Sequence, residues 1–598
     1  MKILWSSIFY FLLFSSVFSQ SENKIIILHT NDMHSMLTGF GPESDYTPLS
    51  INDDKTAGGF ARIATILREE KEKSPSNTIV VDAGDFLMGT LFQALEVKTG
   101  FQLHLMKKMG FDITCLGNHE FDFGPEKLGE IFKSALTQGD IPKVLIGNAK
   151  FNTLDKRDDL LEELLKNNVI SRTMILSLNG LKVGFFSLMG IDAAVVAPKS
   201  APVKFEKQTT FARRMVKELK AEKCDIIICL SHSGVGKDKK GEWDGEDVEL
   251  AEKVKGINLI ISGHTHTLLD VPIIVNGIPI VQAGDNGRFV GRLALNWNGT
   301  ILKVEDYKLF PVDDRIMGDR EINDLIERQK DLISGEILKP LGMSYEKPVA
   351  ESGFQLECNE YGDVVASNLG PMVADAIQYY VNKHNPQGTD LSMVAVGVIR
   401  EKILPGKITA PDIFRVMSLG SGRDEVPGYA LSRLYITGRE LKNVLEILQV
   451  TGKATPGNYC YYSGIRVEYD PEKGLLKKIK KIEIEKGDGT KVNVDFSKKN
   501  KTLYSLTANS YMLQFIGLIK KKSYGLVNVI PKDAEGRKVT DMITAVIDID
   551  SIKSGVQEGK EWLALVEFLM QMKDTNNDNI ADVDGKYALP VKCFFPIK

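Results

Sequence analysis

Four short polar segments, each closing an apolar run, hold five of the eight histidines of this chain. They are Asp32-Met33-His34, Gly117-Asn118-His119-Glu120, Ser231-His232-Ser233 and Gly263-His264-Thr265-His266. A fifth segment, Asp82-Ala83-Gly84-Asp85, puts a carboxylate in the same setting. The runs ahead of them, at 25–28, 78–81, 113–116, 225–230 and 258–261, are short and rich in Ile and Val. They read as strands, and the helical patterns between them, at 59–73, 101–109 and 210–222, complete an α/β order. Side chains that follow successive strands of such a sheet converge on one crevice. The first half of the chain is therefore limited to a sheet fold whose strand ends share a single site.

With 598 residues the chain is too long for one core, and about two to four domains are expected. Apolar content of 43% and charged content of 26% are ordinary for a globular protein. A formal net charge of −4 gives no sign of a nucleic-acid or membrane-surface binder. Lys2, the apolar run 3–18 and the small residues near Val17 and Ser19 have the layout of a secretory signal peptide. The run falls short of the roughly 20 apolar residues of a membrane span. A periplasmic or secreted protein without a membrane anchor in its mature form is expected; a retained anchor is the competing reading.

The expected division is a signal peptide over 1–20, a first α/β domain over 21–315, a connecting helix over 316–341 and a second α/β domain over 342–598. The polar helical stretch 319–337, ended by Pro340 and Gly342, fits a connector and a surface helix of the first domain equally. Segments 176–188 and 273–295 read as antiparallel strands turning at Asn179-Gly180 and Asn276-Gly277. In the second half, Asn368 opens a helix through Val381, 391–396 is a strand, and 479–484 with 491–495 form a hairpin. Cys115, Cys224 and Cys229 lie in apolar runs and read as buried thiols. One disulfide among Cys358, Cys460 and Cys593 is compatible with the sequence.

The polar segments have the chemistry of a two-metal hydrolase. Asp32 and His34 are two apart, so in an extended segment both point the same way and can hold one ion; His264 and His266 repeat the spacing. Asp85 can bridge two ions because its two oxygens can serve different metals. Asn118 adds a neutral oxygen. His119, its neighbour, points elsewhere and faces the substrate, and Asp122 stands three residues on to orient its imidazole. Mixed Asp, Asn and His ligands suit zinc, manganese or iron. Two such ions about 4 Å apart lower the pKa of a bound water and hold a phosphoryl oxygen for in-line attack. An exported binding protein on an inert scaffold of the same fold is the reading from a different class.

On these five segments, in this order and spacing, the chain resembles the exported 5′-nucleotidase family of calcineurin-like metallophosphoesterases. The match extends through Ile27-Leu28-His29-Thr30-Asn31-Asp32 and through Glu120-Phe121-Asp122-Phe123-Gly124. The resemblance implies an N-terminal layered α/β/β/α sandwich and a C-terminal α/β substrate-binding domain. It implies one metal held by Asp32, His34, Asp85 and His266, and a second by Asp85, Asn118, His232 and His264. The metals implied are divalent transition ions: zinc, manganese, iron or cobalt. His119 and Asp122 correspond to the catalytic dyad. The implied reaction is hydrolysis of a phosphoester, first of all a nucleotide; a cyclic nucleotide, nucleotide sugar or sugar phosphate is the alternative.

The second half departs from the family pattern. The family's Asn-Gly-Gly-Gly-Ile-Arg segment reads Ala395-Val396-Gly397-Val398-Ile399-Arg400, which keeps only the last Gly–x–Ile–Arg frame and an anion-binding Arg400. The Pro-Phe-Gly segment reads Ser418-Leu419-Gly420, without its stacking ring. In Lys520-Lys521-Lys522-Ser523-Tyr524-Gly525, Tyr524 is either a base-stacking or a packing ring. Arg423 is either an anion ligand or a solvated loop charge. Near the C-terminus, Asp574, Asn576, Asp578 and Asp582 take positions 1, 3, 5 and 9 of a calcium-loop spacing, but position 12 is Gly585. A calcium site and a plain polar turn both fit that segment.

Overall fold

The computed structural model describes residues 23–597, apart from 359–362, 425, 455, 487–488 and 515–527. The expected signal segment and Tyr524 lie outside the described residues. In chain order, the main strands of the first half are β1 (Lys24–Thr30), β2 (Thr78–Asp82), β3 (Ile113–Cys115), β4 (Lys143–Leu145), β5 (Ile170–Ser171), β6 (Thr173–Leu178), β7 (Leu181–Met189), β8 (Ile226–His232), β9 (Leu259–Ser262), β10 (Ile273–Val275), β11 (Ile278–Val281), β12 (Phe289–Trp297) and β13 (Leu302–Pro311). One sheet runs β13-β12-β1-β2-β3-β4-β5 and the other β10-β11-β9-β8-β7-β6. β1 to β5 pair in parallel, as do β7, β8, β9 and β11. The strands expected to be antiparallel are so, β6 with β7 and β10 with β11.

Successive side chains of a strand face opposite ways, and that alternation makes the layers. Ile25, Ile27, Ile79, Val81 and Ile113 of the first sheet meet Phe185, Ile226, Ile228, Leu230 and Ile261 of the second. The other face of the first sheet, with Leu28 and Val80, is covered by the helices Phe60–Lys73, Phe101–Met109 and Pro125–Gln138. The outer face of the second sheet, with Phe186, Ile227 and Ile260, is covered by Gln208–Ala221 and Glu246–Lys253. The result is the α/β/β/α sandwich, with the ligand-bearing ends of β1, β2, β3, β8 and β9 at one edge.

The helix Arg320–Ile333 is capped by Asp319, whose carboxylate accepts from Ile322 N, and buries Ile322, Ile326 and Ile333. It packs on the helices Phe60–Lys73 and Phe101–Met109, and its continuation ends at Gly342 (φ 76°). Beyond it, the strands Leu431–Thr437, Leu503–Asn509, Leu391–Ala395 and Cys460–Ser463 form a four-stranded sheet in that order. The helix Leu369–His384 packs on that sheet and on the helix Glu561–Met570. The strands Ile479–Glu485 and Lys491–Asn493 pair antiparallel as expected. The six cysteines are all thiols, so the disulfide compatible with the sequence is not formed. No described helix is long and apolar enough to cross a membrane.

Candidate functional site

The turns after the strands bend sharply. Asp32, His34, Asp85, His264 and His266 all have φ between 48° and 75°, in the left-handed region that non-glycine residues rarely adopt. Each costs of order 1 kcal/mol or more, a strain typical of functional sites. Backbone bonds hold the turns against one another: Asp32 N donates to Gly84 O (2.9 Å), and His34 N to Asp85 O (3.0 Å). Glu120, buried at the base of the site, accepts from Asp85 N (3.1 Å), Leu87 N (2.9 Å) and Gly117 N (2.6 Å). One carboxylate thus ties the turns after β2 and β3. Asp247 does the same for β8 and β9, accepting from Ser231 Oγ and Ser262 Oγ, each at 2.6 Å. Glu120 lies inside a quoted motif and Asp247 carries no local signal; the sequence reading gave neither a role.

Strand placement brings all seven proposed ligands together. Ligand atoms of Asp32, His34 and His266 lie within 4.8 Å of one another, and so do those of Asp85, His232 and His264. His34 Nε2 and His266 Nε2 are 3.0 Å apart. His232 donates from Nδ1 to Ala83 O (2.9 Å), and its Nε2 faces Asp85 Oδ2 (3.0 Å) and Asn118 Oδ1 (3.2 Å). Imidazole nitrogens and carboxylate oxygens converging in this way form a donor set for cations. The carboxylates of the cluster favour positive charge beside them. Burial lowers the His232 pKa, but the Asp85 and Asp32 carboxylates and the bond to Ala83 O together outweigh it and hold it at about 10. Burial, the largest influence on His34, pushes it to about 3, which leaves its ring neutral and able to ligate.

His119 and Asp122 meet as read from their spacing, with His119 Nδ1 2.6 Å from Asp122 Oδ2. Burial works against a charged His119, yet Asp85 and Asp122 raise its pKa above the ordinary value. His119 is also close to the ligands: one of its nitrogens lies within 4.8 Å of ligand atoms of His34 and Asp85. His264 Nε2 has a further neighbour, Asp192 Oδ2 at 3.4 Å, which sequence reasoning did not single out.

These groups open into a cavity of about 800 Å³ whose opposite wall comes from the second half of the chain. Arg400 lines it and, among the described residues, forms no ion pair. Arg288, Arg415, Ser418, Leu419, Tyr429 and Tyr511 line it too. Arg288 is paired with Asp285 and Glu401, and Arg415 with Asp412. Arg423 is absent from the wall; its backbone N–H donates to Glu558. In the loop at 574–582, Asp574 accepts from Asn577 N (2.7 Å) and Asn579 N (2.9 Å). Its carboxylates at Asp574 and Asp578 are exposed, and it has no part in the cavity.

Two facing sheets in an α/β/β/α sandwich, with a His, Asp and Asn cluster where the strands stop, define a metallophosphoesterase. Residues 25–268 match the family model for calcineurin-like phosphoesterases, and residues 349–517 match that for the 5′-nucleotidase C-terminal domain. The chain belongs to the 5′-nucleotidase family of two-domain metallophosphoesterases, whose phosphoesterase domain carries a dinuclear metal site. It is 26% identical over 538 residues to Protein 5NUC of Lutzomyia longipalpis, covering 83% of this chain and 86% of that one. It is 26% identical over 493 residues to the 5′-nucleotidase of Bos taurus (77% and 78% covered) and 26% over 488 residues to an apyrase of Aedes aegypti (77% and 79%). In fold it is similar to a 5′-nucleotidase precursor from Thermus thermophilus, with a TM-score of 0.68, 20% identity, and 96% and 99% of the two chains covered.

Proposed function

We propose that this chain is an exported phosphoester hydrolase that releases phosphate from nucleotides. One observation carries the reading: a single cavity unites the Asp85-centred ligand cluster with the Arg400 guanidinium, which has no ion-pair partner among the described residues. In this reading Asp32, His34, Asp85 and His266 hold one divalent transition metal, and Asp85, Asn118, His232 and His264 hold the other. Bound there, the two ions supply Lewis acidity towards a water and a phosphoryl oxygen. Asp122 fixes the His119 ring through Nδ1, so that Nε2 is the atom offered to substrate. From there the imidazolium stabilises charge on the phosphoryl group and hands a proton to the leaving oxygen. Arg400 binds an anionic group of the substrate from the opposite wall. The apolar segment ahead of Gln20 supports export; exported protein is expected to begin near Gln20 on N-terminal sequencing, and an intact Met1 on a cytosolic product refutes it.

A second reading, a phosphoesterase for a leaving group other than a nucleoside, is favoured by Leu419 in the cavity wall, where the family pattern has a ring. Both readings are tested by turnover of AMP, UMP, ADP, ribose 5-phosphate and p-nitrophenyl phosphate with zinc, manganese or cobalt. Activity that a chelator abolishes and metal restores is expected. No turnover of any substrate with any of the three metals overturns the hydrolase reading; nucleotides poor beside the other esters overturn the nucleotide one.

A further inference from the structure

The ring of Tyr429, in the cavity wall, is already occupied. It stacks on Tyr511, with centroids 5.1 Å apart and planes within 13°. The Lys199 ammonium, from the first half of the chain, lies over the same ring at 5.5 Å and donates to Ser421 O at 3.0 Å. Gly420 (φ 76°) supports the ring edge so closely that a Cβ there would overlap it. Tyr429 is 5% exposed and so has no face open to a ligand, whereas Tyr511 is half-buried. A third ring between two others needs roughly 7 Å between them, twice the ~3.5 Å contact distance of carbon atoms. The Tyr429–Tyr511 spacing cannot admit one.

We propose that Tyr429 sets the substrate specificity of this site: its ring fills the aromatic slot beside Tyr511, so that phosphoesters with compact, non-aromatic leaving groups are used about as well as those carrying a base. A base then gains no place between these two rings and contributes little. The remaining selectivity falls to the polar groups of the same wall. Ser418 Oγ and Arg415 Nε are both buried without a partner among the described residues, and both residues border the cavity. They suit hydroxyl, carboxylate or phosphate groups on the leaving group. This inference rests on the hydrolase reading above, but part of its test does not depend on turnover.

The test measures kcat/KM for AMP and for ribose 5-phosphate on the metal-loaded full chain, and adenosine binding by calorimetry. Wild type is expected to keep the two substrates within about fivefold and to bind adenosine weakly. Tyr429→Ala should raise both the AMP preference and adenosine affinity by roughly 5- to 150-fold, the worth of one base–aromatic stack. Tyr429→Phe keeps the ring and should keep the wild-type ratio, while Lys199→Ala, which uncovers the Tyr429 ring, should raise it partway. Tyr429→Leu replaces the alanine variant if that variant does not fold, as judged by thermal unfolding. A hundredfold AMP preference in wild type, or unaltered ratio and adenosine binding in a folded Tyr429 variant lacking the ring, overturns the proposal. No turnover in any variant, together with tighter adenosine binding in Tyr429→Ala, sinks the hydrolase reading and leaves the Tyr429 assignment standing.

Discussion

On the metal side of the cavity, each functional side chain follows directly from a buried strand. On the opposite side, Arg400, Arg415, Leu419, Tyr429 and Tyr511 come from loops and helix ends between residues 396 and 511. The metal side gains its precision from parallel strands in fixed register and from two buried carboxylates, Glu120 and Asp247, that bind neighbouring turns together. The opposite wall is held by charge. Lys560, fully buried, pairs with Glu558 (2.6 Å) and Asp424 (2.8 Å), and the loop carrying Ser421 and Tyr429 folds around that pair. A sheet edge can place several ligands to a fraction of an ångström without local sequence variation being tolerated. A wall built of loops can change its side chains while keeping its shape, which fits the proposed division of chemistry to the first side and selectivity to the second.

The largest expected effect is on the metal side. Asp85→Ala removes the group shared by both proposed ligand sets, so turnover should fall at least about a thousandfold, the loss of several kcal/mol of Lewis-acid stabilisation. Metal analysis of the folded variant should show fewer than two ions per chain; full metal content with full activity would break the assignment. Next comes Lys560→Met. It leaves the buried Glu558 without its counter-ion, while Asp424 faces solvent, at a cost of about 3–5 kcal/mol in urea unfolding. A loss below about 1 kcal/mol would show that the loop wall is not held by charge.

Glu120→Gln is smaller and sharper. The amide would turn one hydrogen-bond acceptor into a donor facing the N–H groups of Asp85, Leu87 and Gly117. Metal affinity should weaken by roughly 10- to 100-fold, the usual effect of losing a supporting partner, with kcat under saturating metal less affected. The smallest effect concerns pH. Burial raises the Glu96 carboxyl to about 8 in the folded protein, against an ordinary 4.5. Between those values the folded state holds more protons than the unfolded one, so this group's contribution to stability is full below about pH 4.5 and declines as pH rises towards 8. Glu96→Gln should remove that decline, so that its stability relative to wild type rises from pH 5 to pH 8. Parallel stability–pH curves for the two proteins would refute it.

The two walls also differed in how far their residues could be read in advance. Asp32, His34, Asp85, Asn118, His119, His232, His264 and His266 each lie within a few residues of an apolar run, so a local pattern locates them. Asp122 was legible for the same reason, three residues from His119. Arg400 was found through a short segment that keeps its arginine. Tyr429 and Tyr511 were not found, because nothing within five residues of either marks a ring that faces a cavity; they meet across 82 positions of sequence through the pairing of Leu431–Thr437 with Leu503–Asn509. The helix Arg320–Ile333 had a legible period, but its packing partners, in the first half, did not follow from that period.

The sequence alone determined the α/β order of the first half, the strand ends that carry the site, and the chemical character of the donors, because each is set by residues adjacent in the chain. Strand periodicity and turn residues act over a handful of positions and leave a trace there. Only the tertiary structure decided that Glu120 and Asp247 lock the ligand turns, that Lys199 reaches across to Tyr429, and that Tyr429 lies against Tyr511 rather than open to a ligand. Those outcomes depend on contacts between segments tens to hundreds of residues apart. Such contacts are chosen by the packing of the whole molecule, which no local stretch of sequence records.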